Sequence, residues 1–191
     1  IGGLASFTCW HEDAQTRVKA YLGFEGGENV INSTFSRTVR PDPRIRERFQ
    51  VDCFGLVTRS ATNFELVFHT DEDGGSWFMD EWGIKWRKPP EGYYYDAVSH
   101  PLAGATLADI AHYRWPDPTD PGRLAGVVEL AKDLYENTGY CLVLTPIWAT
   151  GIFQVAAILQ GFEEHFCNIM VDKRISQAIF DGLCEFHLAQ W

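Results

Sequence analysis

Asp80 and Glu81 are the first residues whose types and spacing could do chemistry. Adjacent carboxylates invite a general acid–base reading, one group giving a proton and the other taking one. They sit in a run, Trp77 to Arg87, whose alternation of apolar and polar residues reads as a strand, and neighbouring strand residues point to opposite faces. Two carboxylates on opposite faces cannot act together on one substrate atom. The pair is therefore expected to anchor structure, by ion pairing or turn hydrogen bonds. Trp82, Trp86 and Tyr93 to Tyr95 follow closely. They could wall a ligand, and cross-strand aromatic packing is the simpler expectation.

Metal chemistry finds little support. The six histidines, at 11, 69, 100, 112, 165 and 187, form no His-x-Cys, His-x-His or His-Glu-x-x-His spacing. His165 and Cys167 are two residues apart, which on a helix turns them about 200° away from each other. No zinc or other cofactor is expected in this chain. The five cysteines, at 9, 53, 141, 167 and 184, are odd in number, include no Cys-x-x-Cys and mostly lie in apolar contexts. Buried free thiols in a reducing, cytoplasmic compartment are the expectation.

Composition narrows the class. The 191 residues suffice for one domain, and with 46% hydrophobic and 22% charged residues the chain reads as a soluble globular protein. The formal net charge of −10 argues against a nucleic-acid partner, which would demand concentrated Lys and Arg. Arg37 to Arg48 is the longest basic-rich run, but Asp42 and Glu47 interrupt it. It reads as a solvated helix face, with a phosphate or carboxylate contact as the alternative. No apolar run approaches the roughly 20 residues of a membrane span, so no membrane partner is expected. The first residues, IGGLASF, include no methionine and no basic segment leading an apolar one, so a fragment or processed chain without a visible secretory signal is expected.

The elements that must position these groups follow from periodicity. Ile1 to Ser6 reads as the tail of a strand. Glu12 to Leu22 reads as a helix with Ala14, Val18, Tyr21 and Leu22 on its apolar face. Pro43 opens a short helix with Ile45 and Phe49 on one side, and Val51 to Thr58 is an apolar strand. Phe64 to His69, Trp77 to Arg87 and Tyr93 to Val98 make an antiparallel excursion across residues 64–98. Thr106 caps a helix to Tyr113, and Pro121 starts a longer one with Leu124, Val127, Val128, Ala131, Leu134 and Tyr135 as its stripe. Tyr140 to Pro146 is an apolar strand of the kind buried on both faces. A helix from Gly151 to about Met170, with Thr150 as cap, and a last helix capped by Asp172, with Ile175, Ile179, Leu183 and Phe186 inward, complete an α/β pattern with parallel central strands.

Four signals in residues 80 to 118 carry a family resemblance. They are Asp80-Glu81-Trp82-Gly83, Gly92-Tyr93-Tyr94, Pro101-Leu102-Ala103 and Trp115-Pro116-Asp117-Pro118, in that order. The stretch resembles the uroporphyrinogen decarboxylase superfamily, especially its corrinoid-dependent methyltransferases. The resemblance implies a partial TIM (β/α)8 barrel, with about the first three strands and their helices and an inserted antiparallel β-hairpin. Residues 1–191 would then be the N-terminal portion of the family's domain, because a closed barrel takes about 250 residues.

In such a barrel the site lies at the carboxyl ends of the strands. Those ends here are Gly2 to Ser6, Val57 to Ser60 and Thr145 to Trp148. The resemblance thus implies that Gly3, Ser6, Arg59, Thr145, Trp148 and Gly151 line a substrate cavity. Arg59 could hold a carboxylate in its fork, or be a surface arginine past a strand. The helix start at Thr150-Gly151 could receive an anion, or Thr150 could simply cap it. The decarboxylases carry an Arg-Gln-Ala-Gly-Arg stretch after the first strand and an essential aspartate at an early strand end. Gly2 to Ser6 and Val57 to Ser60 have neither. The methyltransferase branch is therefore the expectation: methyl transfer from a methylated corrinoid protein to a small thiol or folate-type acceptor, with zinc expected not in this chain but in a C-terminal half of the complete protein. Decarboxylation of uroporphyrinogen III and a non-enzymatic half-barrel that pairs with another chain are the alternatives. Self-association through an exposed barrel edge is expected as well.

Overall fold

The computed structural model describes residues 10–145 and 151–190. The expected strand over Ile1 to Ser6, the cap at Thr150, and the site residues Gly3, Ser6 and Trp148 lie outside them. In chain order the elements are β1 (Trp10–His11), α1 (Glu12–Tyr21), β2 (Ile31–Ser33), β3 (Thr38–Val39), α2 (Pro43–Arg48), β4 (Cys53–Val57), β5 (His69–Thr70), β6 (Ser76–Met79), β7 (Lys85–Lys88), β8 (Asp96–Ser99), α3 (Leu107–His112), a 3-10 turn (Pro121–Leu124), α4 (Val127–Asn137), β9 (Cys141–Thr145), α5 (Ile152–Gln160), α6 (Phe162–Val171) and α7 (Lys173–Gln190). The fold is mixed α/β, and its described strands form three separate sheets, none closed into a barrel. The chain divides into two compact units, Ile1–Arg59 with Leu124–Ile147, and Ser60–Arg123 with Trp148–Trp191.

The first unit is built on a strand–helix–strand arrangement. β4 and β9 pair in parallel with Cys53 opposite Cys141 and Val57 opposite Thr145. Alternation sends Phe54 and Leu56 to the face covered by α4, where they pack with Val127, Leu134, Leu130, Ala131, Leu142 and Leu144. The expected α4 stripe is half right. Val127 and Leu134 are buried, whereas Leu124, Val128 and Tyr135 are exposed. The helix does not begin at Pro121, because Gly126 at φ +71 interrupts it and only residues beyond it continue.

The remainder of this unit is held by polar contacts that periodicity could not show. The buried face of α1 is Gln15 and Lys19, not the expected apolar set, and Tyr21 is 90% exposed. The Gln15 amide donates to Asn29 Oδ1 and the Arg40 carbonyl and accepts from the Asp42 backbone, while Lys19 donates to the Gly27 carbonyl. The arginine run is not a solvated helix face. Arg37 pairs with Glu12, Arg44 with Asp42, and Arg46 is buried with its guanidinium 4.5 Å from the Phe54 ring centre. The Arg44 guanidinium, bonded to Asp42, holds that carboxyl at about 2. Ile45 is fully buried but Phe49 is not.

In the second unit, β5 to β8 form an antiparallel meander. The run Trp77 to Arg87 is two strands rather than one, because residues 80–83 turn the chain back so that Phe78 faces Trp86 and Met79 faces Lys85. The expected inward set of Phe78, Trp82, Ile84 and Trp86 is nevertheless buried. Of Phe64 to His69 only His69 lies in a strand. The long helix after Gly151 is also two: Gly161 at φ +90 ends α5 and starts α6. The left-handed backbone at Gly161, beside the His100 ring, is what favours glycine at this break. α7 buries Ile175, Ile179, Leu183 and Phe186, as its spacing predicts.

Candidate functional site

The carboxyl end of the β4–β9 pair brings two of the expected site positions together. The Thr58 backbone N–H and hydroxyl both donate to the Thr145 carbonyl, at 3.4 and 3.5 Å. Arg59, the next residue, is exposed and has no hydrogen-bond or ion-pair partner among the described residues. Its guanidinium lies 3.7 Å from the point where a side chain on Gly126 would begin. Gly126 precedes α4, so Arg59 stands beside the N-terminal turn of that helix. The Leu130 amide is the first there to find an intrahelical carbonyl, that of Gly126. The amides of the preceding turn point outward with the positive end of the helix dipole. A guanidinium beside a helix N-terminus suits a carboxylate or phosphate.

Gly151 belongs to the second unit, where it is exposed at φ +83 and precedes α5 without a side-chain cap. Its carbonyl accepts the Val155 amide at 3.2 Å.

The Asp80–Glu81 pair is structural, in the way its position in a turn dictates. Asp80 accepts the backbone amides of Trp82 and Ile84 at 3.0 and 2.9 Å and the Trp86 indole N–H at 2.7 Å. Burial pushes its carboxyl up to about 6, against the pull of those three donors. Glu81 turns the other way and is gripped by both terminal nitrogens of Arg123, at 2.8 and 2.7 Å. Arg123 also donates to the Asp117 carbonyl, so it ties the turn to the Trp-Pro-Asp-Pro segment. Spacing gave no signal for this arginine, because two strands and a helix separate Glu81 from the 3-10 turn that carries it. Tyr113 donates its hydroxyl to the Trp82 carbonyl, and burial, with the Asp80 charge adding to it, holds the phenol well above its ordinary range.

The aromatic wall also resolves into packing. Trp82, Trp86 and Tyr95 are buried, with Trp82 4.8 Å from Phe186 and edge-on to Trp115, while Tyr93 and Tyr94 face outward. His165 is fully buried among Phe153, Phe166 and Phe180, and burial lowers its pKa. Cys167 is exposed. Among the described residues no cluster of three His, Cys, Asp or Glu side chains could hold a metal ion. The expectation of buried thiols fails for Cys141, Cys167 and Cys184, which are exposed. No helix among the described residues is long and apolar enough to cross a membrane. No protein-family model, curated protein or solved structure matches the chain.

Proposed function

We propose that this chain supplies the opening strand–helix–strand segment, with its antiparallel insertion, of a methyltransferase-like member of the uroporphyrinogen decarboxylase superfamily. The complete protein would move a methyl group from a methylated corrinoid protein to a small thiol or folate-type acceptor. The single observation that carries this reading is the placement of Arg59, Thr58 and Thr145 at the carboxyl ends of a parallel pair, beside the N-terminus of α4. A guanidinium and a helix N-terminus there suit the carboxylates of such an acceptor. The partial-barrel reading of β4, α4 and β9 belongs to the same proposal. In the reaction, the acceptor sulfur or nitrogen takes the methyl as a cation equivalent and the corrinoid cobalt keeps the electron pair. The described residues offer no cluster for the zinc that this branch uses to hold a thiol as thiolate, so no step is assigned to it in this chain.

The test is to express the whole reading frame that contains these residues and supply methylcobalamin with a thiol. Loss of the methylcobalamin spectrum together with methylated thiol, reduced about tenfold by Arg59→Ala as expected for a lost charge-assisted contact, supports the proposal. Uroporphyrinogen converted to coproporphyrinogen instead would assign decarboxylation. A second reading, a non-enzymatic half-barrel that pairs with another chain, draws on the outward face of α6, where Phe162, Phe166, Met170 and Val171 are all exposed. Inactivity in both assays together with a stable complex would favour it.

A further inference from the structure

Cys53 and Cys141 are Cα partners at the amino end of the β4–β9 pair, the opposite end from Arg59 and Thr145. Register partners on parallel strands send their side chains to the same face, and neighbouring strands lie about 4.8 Å apart. That separation falls within the roughly 4.4–6.8 Å that a disulfide spans between Cα atoms. Alternation puts Phe54 and Leu56 on the face that packs with α4, which leaves both cysteines on the other face. Both are free thiols, Cys141 exposed and Cys53 half-buried. Asp52 organises the pair. Its carbonyl accepts the Cys141 backbone N–H at 2.7 Å, which fixes the start of β9 against β4, and its carboxylate accepts the Cys53 thiol at 3.6 Å.

We propose that Cys53 and Cys141 are a dithiol redox site that low-molecular-weight disulfides convert reversibly to an intramolecular disulfide. The exposed Cys141 reacts first. Its thiolate attacks one sulfur of the small disulfide, forms a mixed disulfide and releases one small thiolate. Cys53 then loses its proton to solvent and attacks Cys141 Sγ, which expels the second small thiolate. The protein gives up two electrons and two protons, and one small disulfide becomes two small thiols. Burial and the neighbouring Asp52 push the Cys53 thiol up, in keeping with its role as the second thiol rather than the first. An exposed disulfide of this kind is readily reversed by added thiol. The site is independent of the proposed methyl transfer, since it needs only the geometry of one strand pair.

The experiment uses the full 191-residue chain in glutathione buffers of increasing oxidised fraction, quenched with an alkylating agent and digested for mass spectrometry. The expected product is a peptide pair joined through Cys53 and Cys141, formed at least tenfold faster than any link that involves Cys167 or Cys184, and lost when the chain is oxidised in denaturing urea. Cys53→Ser should trap Cys141 as a persistent glutathione adduct, because the resolving thiol is gone. Wild-type chain that accumulates the glutathione adduct on Cys141 without the linked pair would overturn the proposal. So would linkage as rapid at Cys167 or Cys184, or linkage equally fast in urea.

Discussion

Asp80 and Trp86 are joined by a 2.7 Å hydrogen bond, from the indole N–H to a carboxylate oxygen, across the turn between β6 and β7. The same carboxylate caps that turn through two backbone amides, so Asp80 is the knot of a hairpin, in line with the structural role expected of the pair. Burial raises this carboxyl to about 6, against the pull of the three donors that hold it in the turn.

This placement has a pH signature. The folded pKa of Asp80, about 6, lies above the unfolded value of about 3.9. Between these two values the folded chain holds a proton that the unfolded chain has released. The Asp80 contribution therefore favours the folded state below about pH 4 and declines as pH rises through 6, by no more than about 3 kcal/mol. Urea unfolding at pH 4.5 and pH 7 should show this decline in the wild type and lose it in Asp80→Asn. Subtracting the variant removes the opposite trend from groups such as Asp42, whose lowered pKa costs stability only toward about pH 2. Equal slopes in the two proteins would refute the assignment.

Breaking the Glu81–Arg123 pair should be costly, because Arg123 keeps only 3% of its side chain exposed and Glu81 14%. Glu81→Ala leaves a buried guanidinium short of two acceptors and is expected to cost about 3–5 kcal/mol. A double replacement, Glu81→Leu with Arg123→Met, should cost less than the single change, since no charge is left stranded. Denaturant midpoints for the three proteins decide it. A double variant weaker than Glu81→Ala would show that the Arg123 bonds to the Asp117 carbonyl matter more than the charge balance.

Gly182 on α7 is a packing glycine. A methyl group there would fall on the Trp115 indole, 2.7 Å from its Cε2 atom. Alanine gains about 1 kcal/mol of helix propensity over glycine, but overpacking a rigid ring costs about 1–3 kcal/mol. Gly182→Ala should lower the melting temperature and change tryptophan fluorescence. A rise in melting temperature would mean that Trp115 moves aside freely.

The outward face of α6 should drive self-association. Phe162, Phe166 and Met170 recur at every fourth residue, each at least half exposed, and Phe153 of α5 lies 5.8 Å from the Phe166 ring. α6 buries His165 and turns its large apolar side chains outward, and an apolar face of that kind is expected to be covered. Light scattering across a concentration series should report mass above 21.7 kDa for the wild type and less association for Phe166→Glu. Association unchanged by this variant would point to the strand edges instead.

Arg59 should be dispensable for folding. It is exposed and without a partner among the described residues, so Arg59→Ala is expected to change stability by less than about 0.5 kcal/mol. A larger loss, measured by thermal unfolding, would reassign it from a ligand contact to a fold contact.

Local pattern alone settled the elements whose stability is local. The burial of Phe78, Trp82, Ile84 and Trp86, though not the turn that splits their run into two strands, the cap at Thr106 and the inward spacing of α7 were legible because each depends on neighbours within a few residues. The breaks at Gly126 and Gly161 were not, because a glycine's sequence context does not reveal whether its backbone turns left-handed. The polar core around Gln15 and Lys19 was hidden for a related reason: burial of an amide or an ammonium is tolerable only when distant carbonyls and carboxylates arrive to meet it. The sequence by itself determined that Asp80, Glu81, Arg59, Thr145 and the cysteines were present and in what order. Tertiary structure decided that Asp80 ties a turn, that Glu81 meets Arg123, that Arg59 stands at a helix start and that Cys53 faces Cys141. Each of those outcomes joins residues through space, where strand register and charge pairing act and periodicity has no reach.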